Sequence, residues 1–114
     1  MHTNVLRIDV SYIDGRAVVI VQGEIDMETA PTLRVALDQL EPHQSVYLDM
    51  ANVRFIDSSG IKVLVSQTLR IRKAGGALHI RNPSRVVHRI VTIAGLSEHF
   101  FEPDDATPPQ AIAV

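Results

Sequence analysis

The residues with the most chemistry to offer sit in one short run, Asp57-Ser58-Ser59-Gly60, with Ile61 and Lys62 directly behind it. A serine nucleophile would need a base. Ser59 and Lys62 do match the Ser-x-x-Lys spacing of some acyl-transfer enzymes, but the chain lacks Ser-Asp-Asn, and Lys73, the only other lysine, is not followed by Thr-Gly. No Gly-x-Ser-x-Gly elbow is present either, so a small serine hydrolase is the weaker reading. The five histidines, His2, His43, His79, His88 and His99, include no pair three to five residues apart that could hold a metal on a helix or turn. With no cysteine, disulfides, thiolate zinc sites, iron–sulfur clusters and cysteine nucleophiles are excluded together. Gly60, Gly75, Gly76 and Gly95 fit neither a phosphate-binding loop nor a dinucleotide fingerprint. No metal or cofactor is expected.

A serine that accepts a phosphate has a different requirement, a position where a dianion is tolerated. Asp57 follows a strand-like run and precedes a helical one, which makes it the expected N-cap, with Ser58 and Ser59 as the first helical residues. There the free backbone N–H groups and the positive end of the helix dipole favour an anion. A phosphate on serine would bring about −1.5 to −2 charges to that point. Helix capping alone also explains Asp, Ser and Gly at a helix start, so the residue types leave both readings open.

The elements around this run follow from hydrophobic period. Val5, Ile8, Val10, Tyr12 and Ile13 alternate roughly as a strand, Asp14-Gly15 makes a hairpin turn, and the aliphatic run Ala17–Val21 predicts a second strand buried on both faces. After Gly23-Glu24-Ile25-Asp26 the period changes. Ala30, Leu33, Leu37 and Leu40 have helical spacing, Pro31 suits the first turn, and the helix is expected to end near Glu41-Pro42. Val46, Leu48 and Met50 alternate in a third strand that runs through Ile56 to Asp57. The second helix has an expected inward stripe of Ile61, Leu64, Val65, Thr68 and Leu69, basic residues Arg70, Arg72 and Lys73 in its last turn, and Gly75-Gly76 as its stop. Ala77–Arg81 reads as a short strand. Asn82-Pro83 then turns the chain, and Ser84 caps a third helix with Val86, Val87, Ile90, Val91 and Ala94 inward, closed by Gly95. The order, a hairpin followed by helix, strand, helix, strand and helix, predicts an α/β fold: a mixed sheet of four to five strands with helices packed against it.

Length bounds this reading. At 114 residues there is room for one domain, expected over 1–101, which would hide roughly two-thirds of its unfolded surface without staples. The acidic, proline-containing stretch 102–114 is expected to be a weakly ordered tail. The longest aliphatic run falls far short of the ~20 residues of a membrane helix, and Met1-His2-Thr3-Asn4 does not open a signal peptide. A cytoplasmic protein without a membrane role is expected. The net charge of −2 hides an asymmetry, because residues 58–97 carry seven Lys or Arg and no acid. The five aromatics form no stacking platform for nucleic acid, so a basic face for an acidic protein partner, or for the acidic tail, is the better expectation.

Several of these segments, in this order, resemble the STAS domain family: Gly23-Glu24-Ile25-Asp26 after the second strand, Phe55-Ile56 leading into Asp57-Ser58-Ser59-Gly60, Gly75-Gly76 before the fourth strand, and Ala94-Gly95-Leu96. The resemblance spans about residues 5–101, and within the family it is to bacterial anti-sigma factor antagonists. It implies that Ser58 is phosphorylated by a partner that is both an anti-sigma factor and a serine kinase, and is reset by a serine phosphatase. It also implies partner contact through Asp26, Asp57, Ser58, Ser59, Gly60, Ile61 and Lys62. N-capping of the first helix is the alternative role for Asp26. Lys62 departs from the pattern, since many antagonists have a small residue there. STAS domains also serve as subunits of sensory or lipid-transport assemblies, where the serine need not be phosphorylated.

Overall fold

Asp14 and Gly15 both adopt positive φ, 51° and 75°, closing a two-residue turn between β1 (Leu6–Ile13) and β2 (Arg16–Ile25). The computed structural model describes residues 5–41 and 44–103. Beyond the hairpin come α1 (Ala30–Asp38), β3 (Ser45–Ile56), α2 (Ser58–Lys73), β4 (Ala77–Arg81), α3 (Arg85–Ile93) and α4 (Ser97–Phe100). The strands lie in the order β1-β2-β3-β4, with β1 antiparallel to β2 and the other pairs parallel. A parallel neighbour requires a crossover, and α1 and α2 provide the two. The result is the expected α/β architecture, a mixed four-stranded sheet with helices packed against it. The sequence pattern did not indicate α4, a single turn whose Phe100 is buried in the core.

The burial of β2 differs from expectation. Ala17, Val19 and Val21 are fully buried, but Ile20 between them is 37% exposed. Among the described residues, helices cover only one face of the sheet. The cross-strand rows Ala17–Val46–Leu78 and Val19–Leu48–Ile80 lie on that face and join Leu33, Leu37, Leu64, Ile71, Val87 and Val91 in one core. The rows Val18–Tyr47–His79 and Ile20–Asp49–Arg81 point the other way. Tyr47 is buried there by side chains: the His79 ring stacks on it at 5.2 Å and the Arg81 guanidinium lies 4.0 Å from its centroid. Glu102 approaches both His79 and Arg81 at 3.9 Å, and Phe101 forms a parallel bridge with Ile80. The expectations for 104–114, like those for His2 and His43, fall outside the described residues.

Three helix details also differ. The buried stripe of α2 is Gly60, Val63, Leu64, Gln67, Thr68 and Ile71, while Val65 and Leu69 face outward. The cause is polar: Gln67 Nε2 donates to Asp38 Oδ1 at 2.6 Å, and Gln67 Oε1 accepts from Arg70 Nε at 3.0 Å. Arg70 also donates to the Leu37 carbonyl at 2.6 Å, so the phase of α2 is set by its junction with the end of α1. That helix stops at Asp38, short of Glu41-Pro42, and Leu40 is buried in the turn that follows. In α3, Ser84 accepts from the Val87 N–H at 3.3 Å as expected, but Ala94 is exposed and His88 is buried, stacked on Phe101 at 5.2 Å.

Candidate functional site

The ends of β2 and β3 bring the expected site residues together. Ile25 pairs with Ile56, so Asp26 and Asp57 leave the sheet side by side, and the Asp57 N–H donates to the Ile25 carbonyl at 3.1 Å. Asp57 is extended at φ −115° and accepts from the Ser59 N–H at 2.8 Å, which makes it the N-cap of α2. Ser58 and Ser59 are the first helical residues. Ser58 and Lys62 are exposed, Ser59 and Ile61 are half-buried, and Gly60 is buried.

The burial of Gly60 has a steric reason. A Cβ added there would lie 2.7 Å from both Ile25 Cγ2 and Ile56 Cγ1, so the first turn of α2 rests directly on the two strand ends. Only glycine permits that approach.

Asp26 organises the neighbouring turn. Its Oδ1 accepts from the N–H groups of Glu28 and Thr29 at 2.9 and 3.0 Å, and its own N–H donates to Thr29 Oγ1 at 2.9 Å. Thr29 Oγ1 donates to the Glu24 carbonyl at 2.7 Å, locking the turn to the end of β2. Asp26 therefore caps the turn that leads into α1. Asp26→Ala is expected to destabilise the domain by about 1 kcal/mol, and Asp26→Asn, which keeps the acceptor, by much less. Urea unfolding of the two variants checks this, and equal losses would assign the effect to charge.

Four exposed apolar side chains surround these residues: Met27, which no sequence argument named, Phe55, named only as the lead into Asp57, and Val65 and Leu69, which were expected to face inward. Met27, in the Asp26 turn, is 77% exposed, and Phe55 is exposed three residues before Ser58. Phe55 faces outward in phase with Tyr47 and Asp49, although β3 carries an extra residue relative to β2 in two places, between the pairs Ile20–Asp49 and Gln22–Asn52 and between Gly23–Val53 and Glu24–Phe55. The first bulge reverses the alternation of side chains and the second restores it, so Val53 enters the core between them and Ile56 returns to the phase of Val46, Leu48 and Met50. On α2, Ser58, Lys62, Val65 and Leu69 are separated by four, three and four residues and form one exposed row. Among the described residues, no histidine, lysine or carboxylate side chain is hydrogen-bonded to the hydroxyl of Ser58 or Ser59. Nor is any helix among them long and apolar enough to cross a membrane.

Comparison with known proteins decides the family. The STAS domain family model matches residues 7–108. The chain belongs to the STAS domain family. This STAS domain is 32% identical over 94 residues to the anti-sigma-B factor antagonist of Bacillus subtilis, covering 82% of this chain and 86% of that protein. It superimposes on the crystal structure of an anti-sigma factor antagonist from Mycobacterium paratuberculosis with a TM-score of 0.72 and 31% identity, over 90% of this chain and 91% of the other. The fold is also that of the anti-sigma factor antagonist SpoIIAA in its unphosphorylated form, at a TM-score of 0.66, 21% identity and 93% of each chain. These relatives are regulatory proteins by name.

Proposed function

We propose that this STAS domain is an anti-sigma factor antagonist that works by partner switching at Ser58. The observation that carries the reading is the position of Ser58: exposed at the first residue of α2, at the head of the row formed by Lys62, Val65 and Leu69. The names of its relatives support the role. With Ser58 unmodified, the start of α2 and the Asp26 turn dock on an anti-sigma factor that is also a serine kinase, and the sigma factor that this partner held is released. Asp26, Asp57, Ser58, Ser59, Gly60, Ile61 and Lys62 form or shape the contact.

The chemistry belongs to the partners. The kinase transfers the γ-phosphoryl group of ATP to Ser58 Oγ: a phosphorus–oxygen bond to serine forms, the bond to ADP breaks, and the hydroxyl proton leaves to a base on the kinase. A serine phosphatase reverses the modification with water, releasing inorganic phosphate. In the free domain the phosphate is solvated at a helix N-terminus, one turn from Lys62. In the complex it would be buried against a surface shaped for a hydroxyl, and an unpaired buried charge costs several kcal/mol. Release follows without refolding.

The test is affinity capture from the native host's lysate with Ser58→Ala and Ser58→Asp baits side by side, with retained proteins identified by mass spectrometry. A small ATP-binding kinase held by the Ala bait and lost from the Asp bait is the expected result. Identical retention on both baits would mean that Ser58 is not the switch and that the domain serves as a constitutive subunit.

A further inference from the structure

β1 is the terminal strand of the sheet, and among the described residues no other strand pairs with its outer edge. Natural edge strands are usually protected by proline, a bulge, or charges that reject a second strand. β1 lacks the first two devices: its sequence, LRIDVSYI, has neither proline nor glycine, and its register with β2 runs unbroken from Leu6–Gly23 to Ile13–Arg16. It carries one charge of each sign, Arg7 and Asp9, both exposed. Val10 and Tyr12 are exposed on the helix-covered face, where α1 does not reach them.

The phase of the backbone groups follows from the hairpin. The Val5 carbonyl accepts from the Glu24 N–H at 3.4 Å, and hydrogen-bonded and non-hydrogen-bonded pairs alternate along an antiparallel ladder. Arg7, Asp9, Ser11 and Ile13 therefore turn their N–H and C=O groups toward β2, and Leu6, Ile8, Val10 and Tyr12 turn theirs outward. A second copy of the same strand, running antiparallel, can bond only through these even-numbered residues.

Every two-fold register centred on a residue satisfies that rule. Four of them, centred on Ile8, Asp9, Val10 and Ser11, pair at least five residues of β1, and charge separates them, the Ser11 register leaving Asp9 opposite Ile13. Centred on Asp9, the pairing sets Asp9 directly against its own symmetry mate, which is destabilising. Centred on Val10, it places Arg7 opposite Ile13 and Asp9 opposite Ser11, leaving both charges without a partner. Centred on Ile8, it places Arg7 of each copy opposite Asp9 of the other, twice over, in the closer non-hydrogen-bonded pairs. The same register sets Ile8 against Ile8 and Leu6 against Val10, giving the exposed Val10 an apolar partner.

We propose that β1 is a self-association edge, pairing with β1 of a second copy in the antiparallel register centred on Ile8. The two-fold axis is perpendicular to the sheet, so both helix layers lie on one side of a continuous sheet. The two Ser58 ends point in opposite directions along it, and both docking faces stay open. The pairing does not depend on the state of Ser58.

Sedimentation of the purified full chain over a range of concentrations tests this. Wild type and Ser58→Asp are expected to show the same reversible dimer. Arg7→Asp or Asp9→Arg alone turns both cross-strand pairs repulsive and is expected to weaken the dimer about tenfold or more, and the double swap Arg7→Asp with Asp9→Arg to restore it. Val10→Pro removes an outward N–H without touching the bonds to β2, and is expected to remain monomeric with an unchanged circular dichroism spectrum. A wild-type chain that stays monomeric up to about 1 mM overturns the proposal. So does a dimer indifferent to the single reversals, or one that the double swap does not rescue.

Discussion

Gly60→Ala is expected to lower the stability of the domain by about 2 kcal/mol and its melting temperature by about 10 °C. Two effects oppose each other at this position. Alanine is the better helix former, by up to about 1 kcal/mol in a helix interior and less in the first turn. Against this, the new methyl would meet Ile25 Cγ2 and Ile56 Cγ1 at 2.7 Å. Neither is the far end of a flexible chain: both atoms belong to β-branched side chains that are fully or almost fully buried in the core. Relief requires α2 to move away from the strand ends, and overpacking of this kind costs about 1 to 3 kcal/mol. Ser58→Ala is the control two residues away. Its side chain is exposed, so its effect is expected to stay within about 0.5 kcal/mol. Thermal and urea unfolding of the two variants make the comparison, and a Gly60→Ala protein as stable as wild type would mean that the first turn has room to shift. Because that turn also carries Ser58, Gly60→Ala is further expected to reduce partner affinity, while Ser58→Ala leaves docking intact.

Local chemistry made the element order legible. The Asp14-Gly15 turn, the Asp57 and Ser84 caps and the strand Ala77–Arg81 occur where residue type alone places them. Features set by contacts between elements were not legible. Whether Ala17–Val21 is covered on one face or two depends on where the crossover helices lie, and an unbroken aliphatic run does not encode that. The phase of α2 depends on Gln67, a polar residue that enters the core because Asp38, distant in sequence, accepts its amide proton. A hydrophobicity pattern assigns Val65 and Leu69 inward for want of that information. The two bulges in β3 are likewise invisible in its hydrophobic pattern, and they decide that Val53 enters the core while Asn52 and Arg54 do not. The placement of Asp57, Ser58 and Gly60 at a strand-to-helix junction was readable, but the apolar surround of Ser58 was not.

That surround is the basis of the second large effect. Val65→Asp combined with Leu69→Asp is expected to weaken binding to the partner proposed above, an anti-sigma factor that is also a serine kinase, by at least about a hundredfold, equivalent to about 2.7 kcal/mol. Both side chains lie on the row that begins at Ser58, and Leu69 is 57% exposed in the free domain. An interface that covers them removes apolar area from water, whereas two carboxylates in the same place would be desolvated without partners. Folding should be spared, since neither residue contributes to the buried stripe of α2. The control is Ile93→Asp, an equally drastic change at an exposed position on α3, outside the α2 row. Titration calorimetry against the captured partner distinguishes the outcomes. Retained binding by the α2 double variant would move the docking surface off this row. Equal losses from Ile93→Asp would show that added acid, rather than position, weakens the complex. A loss confined to the α2 variant would place the partner along the helix that Ser58 begins, where a phosphate on that serine lies inside the contact and not at its margin.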